Sequence, residues 1–241
     1  MIEFRLRILI VTAIISLGFW APWVQFWQLG TRMSVLEWLA LTLARTSIMS
    51  FAAAIHAAIG LAIVVAAIAT VFRVWGTAYL GESIVNHARM QAGTVMAAGP
   101  YRYVRNPLYL GAWFMVAAMA FIMPVSGAAF CMLLLSIFLM RLIFGEEAFL
   151  TGELGEPYNA YRAAVPRLIP RLRSPLPRTQ AKATWLRSVL AELNPIGVLL
   201  IFICISWTFD IWLMTKAVIV CFGISLVVRA LLPPAKHAVG I

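Results

Sequence analysis

Runs of about twenty apolar residues recur along this chain, and their length constrains its fold more than any other feature. An α-helix rises about 1.5 Å per residue, so about 20 residues cross a hydrocarbon core of roughly 30 Å. Of the 241 residues, 63% are apolar and only 12% are charged. Soluble domains carry about 25% charged residues, and disordered chains are poor in apolar ones. Both classes are therefore excluded, and we expect an all-α, polytopic membrane helical bundle.

The apolar runs predict about six transmembrane helices, four of them paired into two helical hairpins. The run 108–144 is too long for one crossing, because 37 residues would form a helix of about 55 Å. Pro124 lies inside this run and would remove a helical hydrogen bond, so we expect a tight reversal there. A second turn is expected to carry Asp210 and Lys216. The predicted spans are 8–27, 48–72, the two halves of 108–144, 196–212 and 217–232.

The basic residues lie between the apolar runs and predict the orientation. With six spans both termini share one side, and that side collects 16 of the 19 Lys and Arg residues. Short loops rich in Lys and Arg stay in the cytoplasm. We therefore expect an integral protein of the bacterial inner membrane with both termini and the segments 73–107 and 145–195 in the cytoplasm. The same placement explains the net charge of +10 without a nucleic-acid partner.

The first polar segment, residues 96–111, directly precedes the third predicted span. Gly99-Pro100 and Asn106-Pro107 are turn signals, and Pro107 suits the first turn of the following helix. Free N–H groups at such a helix start favour an anionic or hydrogen-bonding ligand group. The alternative is that Arg102 and Arg105 are membrane anchors and that the three tyrosines belong to an interfacial aromatic belt.

The second polar segment, residues 145–170, begins where the fourth span is expected to end. Glu146 and Glu147 stand at that helix end, where the helix dipole opposes negative charge. Two explanations remain open: pairing with Arg141 or with arginines of the first polar segment, or binding of a cationic or polyhydroxylated ligand. Because the intervening hairpin returns both segments to one side, a single pocket can be built from both.

The motifs of the two segments resemble the isoprenylcysteine carboxyl methyltransferase family, whose core is shared by membrane phospholipid N-methyltransferases. They are Gly99-Pro-Tyr-Arg-Tyr-Val-Arg-Asn-Pro-Leu-Tyr-Leu-Gly111, Glu146-Glu147, Gly155, Tyr158, Tyr161 and Val165-Pro-Arg-Leu-Ile-Pro170. The resemblance implies a methyltransferase that binds S-adenosylmethionine. The implied cofactor-binding residues are Gly99, Pro100, Tyr101, Arg105, Asn106, Pro107, Tyr109, Glu146 and Glu147. The prenylcysteine enzymes typically carry His at the position of Asn106, which argues against a prenylcysteine substrate.

The methyl acceptor is expected to be a lipid-like or prenylated, lipophilic small molecule that reaches the site from the membrane lipids, and its chemistry is open. A carboxylate is already nucleophilic at neutral pH and needs an arginine to orient it; Arg167, Arg162 and Arg141 are the candidates. An amine must first lose a proton, for which Glu147 or Glu153 is the candidate base. We favour O-methylation of a carboxylate, with Arg167 and Glu147 as catalytic residues, over N-methylation of a phospholipid.

Two other classes compete with this interpretation. An NADPH-dependent membrane reductase of the steroid reductase kind has a related core. Such reductases carry an acidic residue directly after Tyr-x-Gly, whereas this chain has Ala112 at that position. A transporter or scaffold often shows internal repeats, and none is found. His56 lies inside a span, where a helix-packing role is as well supported as a functional one. Glu82, His87 and Arg89 are either pocket residues or solvated loop charges.

The chain divides into four expected segments, and its oligomeric state is left open. They are N-terminal helices (1–72), a methyltransferase-like core (73–173), a basic Pro-containing linker (174–195) and a C-terminal hairpin with its tail (196–241). No metal site is expected, because the three cysteines lie inside apolar runs without the paired spacing of zinc ligands.

Overall fold

The computed structural model describes residues 6–46, 49–80, 97–177 and 181–231. Helices and turns make up these ranges, which contain no β-strand, and the all-α prediction is confirmed. Glu82, His87 and Arg89 lie outside the described residues. The helices are α1 (Arg7–Trp20), α2 (Pro22–Phe26), α3 (Val35–Arg45), α4 (Phe51–Leu80), α5 (Pro107–Ala120), α6 (Val125–Leu154), α7 (Glu156–Ala164), α8 (Trp185–Ala191), α9 (Leu193–Cys204) and α10 (Ile211–Leu231).

In the described ranges, four helical units are long and apolar enough to cross a membrane, so the chain is an integral membrane protein. They are α1 together with α2, α4, α6 and α10. The pair α8 and α9, continued to Thr208 and bent by 71°, is a fifth if it counts as one span. About six spans were predicted. The difference arises mainly at α5, because its 14 residues make only about 21 Å of helix.

The hairpin predicted at Pro124 is confirmed. Helix α5 ends at Ala120, α6 starts at Val125, and Trp113 of α5 donates a hydrogen bond to Ser136 of α6 at 2.9 Å. The segment before α3 crosses the turn: Val35 N–H donates to the Met123 carbonyl at 3.0 Å, next to the Ser34–Pro124 bridge. Backbone groups of the turn are thereby satisfied by protein, as a chain surrounded by lipid requires.

The second hairpin also forms, but its turn lies earlier than predicted. Helix α10 begins at Ile211, because the Asp210 carboxylate accepts a hydrogen bond from Leu213 N–H at 2.9 Å and caps the helix. Lys216 therefore lies inside α10 and not in the turn. His56 of α4 stacks on Trp207 of this turn at 5.6 Å and bonds to the carbonyl of Ala52 in its own helix.

Small residues let the helices approach closely. Along α4, Ala54, Ala58, Ala62 and Ala66 form a buried stripe at four-residue spacing. Between α1 and α6, a Cβ added at Gly127 would overlap the carbonyl oxygen of Gly18. Because association in lipid depends on such close packing, this contact fixes α1 against α6.

We expect Gly127→Ala to lower the unfolding temperature of the detergent-purified protein, because overpacking a close contact costs about 1–3 kcal/mol. Gly60→Ala is the matched control, since a Cβ there meets no other atom within 4 Å. Its unfolding temperature should stay unchanged or rise slightly. Equal losses in both variants would contradict the close contact.

Candidate active site

The first polar segment folds into a tight 3-10 turn followed by the start of α5. The turn runs from Gly99 to Arg102, and Gly99 has a positive φ of 53°. A Cβ at this position would overlap the ring of Tyr79. Pro107 is the first residue of α5, as predicted. Both turn predictions are therefore confirmed.

The second polar segment lies alongside the first. Arg105 N–H donates to the Pro166 carbonyl at 2.8 Å, and Arg171 N–H donates to the Tyr103 carbonyl at 3.0 Å. The buried hydroxyl of Tyr161 donates to the carbonyl of Tyr101 at 2.8 Å. The two segments thus form one structural unit, as their common side predicted.

A buried ionic cluster joins the segments to α6, and we call Arg105, Asn106, Glu147 and Arg167 the Glu147 cluster. Glu147 is 4% exposed; Arg167 Nη2 lies 2.8 Å from its Oε2 and Arg105 Nη1 lies 3.2 Å from its Oε1. The Asn106 amide donates to Glu147 at 3.3 Å and to the Arg167 carbonyl at 3.2 Å. Hydrogen bonding to Glu147 raises the pKa of Arg167, which keeps the guanidinium charged.

The two glutamates do not stand at a helix end, contrary to the prediction. Helix α6 continues to Leu154, so Glu146 and Glu147 lie in its interior and the dipole argument does not apply. Glu147 is compensated by Arg105, an arginine of the first polar segment, which is one of the two explanations proposed from the sequence.

Glu146 is held differently from its neighbour. The Tyr109 hydroxyl donates to Glu146 Oε2 at 2.7 Å, and both residues line a cleft of about 1700 Å³. Tyr109 and Glu146 are the predicted site residues that line this cleft. The remaining ones, from Gly99 to Pro107 together with Glu147 and Arg167, are not among the residues that line it.

The cleft runs between α1 and α10, along the depth of the bundle. The α1 face contributes Ile8, Val11, Thr12, Ile15 and Phe19, and the α10 face contributes Thr215, Val218, Ile219, Phe222 and Leu226. From Ile8 to Phe19 the α1 wall measures about 17 Å, just over half of a hydrocarbon core. One end, which we call the polar end, is lined by Arg7, Arg73, Glu146, Glu192, Asn194 and Arg229.

Comparisons with known proteins relate part of the chain to methyltransferases. The family model described as phospholipid methyltransferase matches residues 49–156. The match covers 108 residues, slightly less than half of the chain. The matched segment contains α4, α5 and α6, and with them Tyr109, Glu146 and Glu147. The methyltransferase relationship predicted from the two polar segments is thereby confirmed.

A curated relative is similar to part of the chain. Methanethiol S-methyltransferase of Crocosphaera subtropica is 44% identical over 70 residues, which cover 29% of this chain and 27% of that protein. The match thus spans about a quarter of the relative's length. No solved structure matches the chain significantly.

Sequence analysis missed a second buried acid, Glu192, which lies outside the segment matched by the family model. Glu192 is 0% exposed, accepts two hydrogen bonds from Arg73 at 2.8 and 2.7 Å and one from Thr77 at 2.7 Å, and lies 3.7 Å from Arg229. We call these four residues the Glu192 cluster. The sequence placed Glu192 in a basic linker and Arg73 among the basic residues of the cytoplasmic side. The signal that could have revealed Glu192 was its position as a single acidic residue between two apolar helices.

Some buried polar atoms of the site have no hydrogen-bond partner among the described residues. They include the Tyr101 hydroxyl, Arg105 Nε and Asn194 Oδ1. Burial raises the pKa of Tyr101 well above its usual value, so this hydroxyl stays protonated. Because an unsatisfied buried group is costly, these atoms are positions where a polar ligand group gains hydrogen bonds.

We expect Glu147→Gln to destabilise the protein by about 3 kcal/mol, because it leaves the largely buried guanidinium of Arg105 and the partly exposed one of Arg167 without their carboxylate. The measurement is the unfolding temperature in detergent. Glu153→Gln is the matched control, since Glu153 is an exposed acid of the same helix. A Glu147→Gln variant as stable as this control would refute the structural role of the Glu147 cluster.

Proposed function

We propose that the chain is a membrane methyltransferase that uses S-adenosylmethionine and methylates a lipophilic small molecule, preferentially at a carboxylate oxygen. One observation carries the proposal: within the segment matched by the family model, the Tyr109–Glu146 pair opens onto a cleft with long apolar walls. The pair supplies polar contacts at the end of a space suited to a lipid tail. Such a combination of apolar lining and few polar groups is typical of ligand sites.

The polar groups on and beside this cleft fit S-adenosylmethionine. The molecule carries an ammonium group, a carboxylate and two ribose hydroxyls, and supplies an electrophilic methyl group on a sulfonium. Glu146 is a suitable acceptor for the ammonium or the hydroxyls. Arg105, whose Nε has no hydrogen-bond partner among the described residues, is a suitable donor to the carboxylate. We assign cofactor binding to these residues, with Gly99, Pro100, Tyr101, Asn106, Pro107 and Tyr109 shaping the site.

The chain mainly has to bring nucleophile and methyl carbon into line and to exclude water. We propose that the Glu147 cluster positions Tyr109. Arg167 and Glu147 form an ion pair, and both accept hydrogen bonds from the Asn106 amide, which fixes the start of α5, where Tyr109 lies. To serve as a base for an amine, Glu147 would first have to release its arginines. A carboxylate acceptor requires no such step, which supports O-methylation.

The acceptor is proposed to enter from the membrane lipids, with its tail between α1 and α10. The polar end then lies near the cytoplasmic surface, in agreement with the Lys and Arg asymmetry, in the inner membrane of a bacterium. N-methylation of a phospholipid is the second candidate, supported by the description of the family model. A thiol acceptor, as in the name of the relative, is a third.

We expect the purified protein to bind S-adenosylmethionine saturably and NADPH not at all. Glu146→Gln should weaken binding about tenfold or more, because a charged hydrogen-bond partner of the ligand is lost. Equilibrium binding by calorimetry in neutral detergent measures both ligands.

Glu153→Gln is again the matched control and should bind as the unchanged protein does. Binding of NADPH alone would replace the methyltransferase with a membrane reductase. Failure of folded protein to bind either ligand would reject both activities.

The acceptor chemistry predicts a distinct pH dependence. A carboxylate is fully ionised above about pH 6, so kcat/KM with membrane lipid extract as acceptor should stay flat between pH 7 and 9. An amine with a pKa near 10 would instead give a rise of about tenfold per pH unit. Initial rates of label transfer from methyl-labelled S-adenosylmethionine measure this profile.

The labelled product provides a second check. Methyl esters release methanol in mild alkali, whereas N-methyl groups do not. Alkali-stable label together with a rising pH profile would assign the activity to an amine or a thiol acceptor and contradict O-methylation.

A further inference from the structure

Residues 166–177 form an irregular segment after α7, and we call it the surface loop. Hydrogen bonds to the first polar segment hold its backbone. Arg171 N–H donates to the Tyr103 carbonyl at 3.0 Å, and the Arg102 guanidinium donates to the Leu176 carbonyl at 3.2 Å. The side chains of the surface loop therefore project from a fixed backbone.

Two large apolar side chains of the surface loop point away from the protein. Ile169 is 83% exposed and Leu172 is 100% exposed. A single exposed apolar residue is common on protein surfaces. Two of them three positions apart, on a backbone held by hydrogen bonds, form a small apolar surface of the kind that contacts a membrane or a partner.

The charges around these two side chains favour an anionic surface. Arg171 and Arg173 flank Leu172 and are both exposed. Neither forms a side-chain hydrogen bond or an ion pair with any described residue. Residues 157–191 contain seven Lys and Arg residues and no Asp or Glu. Basic residues at a membrane surface are attracted to anionic lipids, and apolar neighbours insert beside them.

The contacts of the surface loop with α6 place it at the edge of the membrane. The Arg167 guanidinium lies 4.6 Å from the centre of the Phe144 ring, which is half exposed. Phe144 is the twentieth residue of α6, counted from Val125, and about 20 residues cross a hydrocarbon core. Leu168 lines an apolar groove together with Met140, one turn earlier in α6. The surface loop thus lies beside a spanning helix where the hydrocarbon core is expected to end.

We propose that the surface loop binds the surface of an anionic bilayer leaflet. Ile169 and Leu172 insert among the acyl chains, and Arg171 and Arg173 contact the lipid phosphates. These lipids form a supporting surface and are not the methyl acceptor. The proposal therefore goes beyond the proposed function and does not depend on it.

This contact also bears on the Glu147 cluster. Arg167 belongs to the surface loop and stands two residues before Ile169, and its Nη2 lies 2.8 Å from Glu147 Oε2. A leaflet that holds Ile169 and Leu172 in place keeps Arg167 beside Glu147. Anionic lipid then stabilises the folded protein through the surface loop.

The first test measures whether position 172 stands in water. The full chain with Leu172→Cys is placed in lipid nanodiscs that contain phosphatidylglycerol and is treated with a membrane-impermeant maleimide. Mass spectrometry of the labelled peptide separates the new thiol from the three native cysteines. Asn159→Cys is the matched control, because Asn159 is exposed on the adjacent α7. We expect the thiol at position 172 to react at least about tenfold more slowly than the one at position 159.

The second test compares unfolding temperatures in nanodiscs of phosphatidylcholine with and without phosphatidylglycerol. We expect the anionic lipid to raise the unfolding temperature by about 4 °C. The double variant Arg171→Gln, Arg173→Gln should lose most of this gain and match the unchanged protein in phosphatidylcholine alone, because both side chains are exposed. Arg45→Gln is the control, since Arg45 is an exposed arginine at the end of α3, and should keep the gain.

Equally fast labelling at positions 172 and 159 would show that Leu172 stands in water and would overturn the proposal. A gain that the double variant retains, or that Arg45→Gln loses to the same extent, would contradict the binding of anionic lipid by the surface loop. Neither readout requires S-adenosylmethionine or an acceptor. Failure here therefore leaves the proposed function intact, and failure of S-adenosylmethionine binding leaves the membrane contact intact.

Discussion

The site depends on the ion pairs that the Glu147 carboxylate forms. It is buried in α6, and its negative charge is compensated by Arg105 from one polar segment and Arg167 from the other. A buried carboxylate without partners would be costly, so burial of Glu147 requires both segments to stay in place. The remaining contacts between the segments, such as the bond from Tyr161 to the Tyr101 carbonyl, follow from this arrangement.

Two neighbouring glutamates on one helix thus have different environments. Successive residues on a helix point about 100° apart, so Glu147 faces the packed segments while Glu146 faces the cleft. Glu147 is engaged by arginines, whereas Glu146 is held by the neutral hydroxyl of Tyr109. This division separates a residue that supports the structure from one that can contact a ligand.

The sequence predicted those parts of the molecule that depend on local chain properties. The length of the apolar runs predicted the all-α membrane bundle. Pro124 predicted the first hairpin, and Pro107 predicted the start of α5. The end of α6 was placed too early, because charge alone was taken to end a helix that tertiary ion pairs allow to continue to Leu154. The pairing of Glu192 with Arg73 joins residues 119 positions apart, and such a contact leaves no local pattern in the sequence.

The Glu192 cluster also affects how far the segment matched by the family model can be treated as a module. Its four residues come from two parts of the chain: Arg73 and Thr77 lie within residues 49–156, whereas Glu192 and Arg229 lie beyond them. A fragment cut at the segment boundary would keep a buried arginine and lose its carboxylate. The boundary drawn by family similarity is therefore not a physical boundary. Transplanting residues 49–156 into another membrane protein would require the C-terminal helices, or a replacement for the Glu192 carboxylate that they contribute to the cluster.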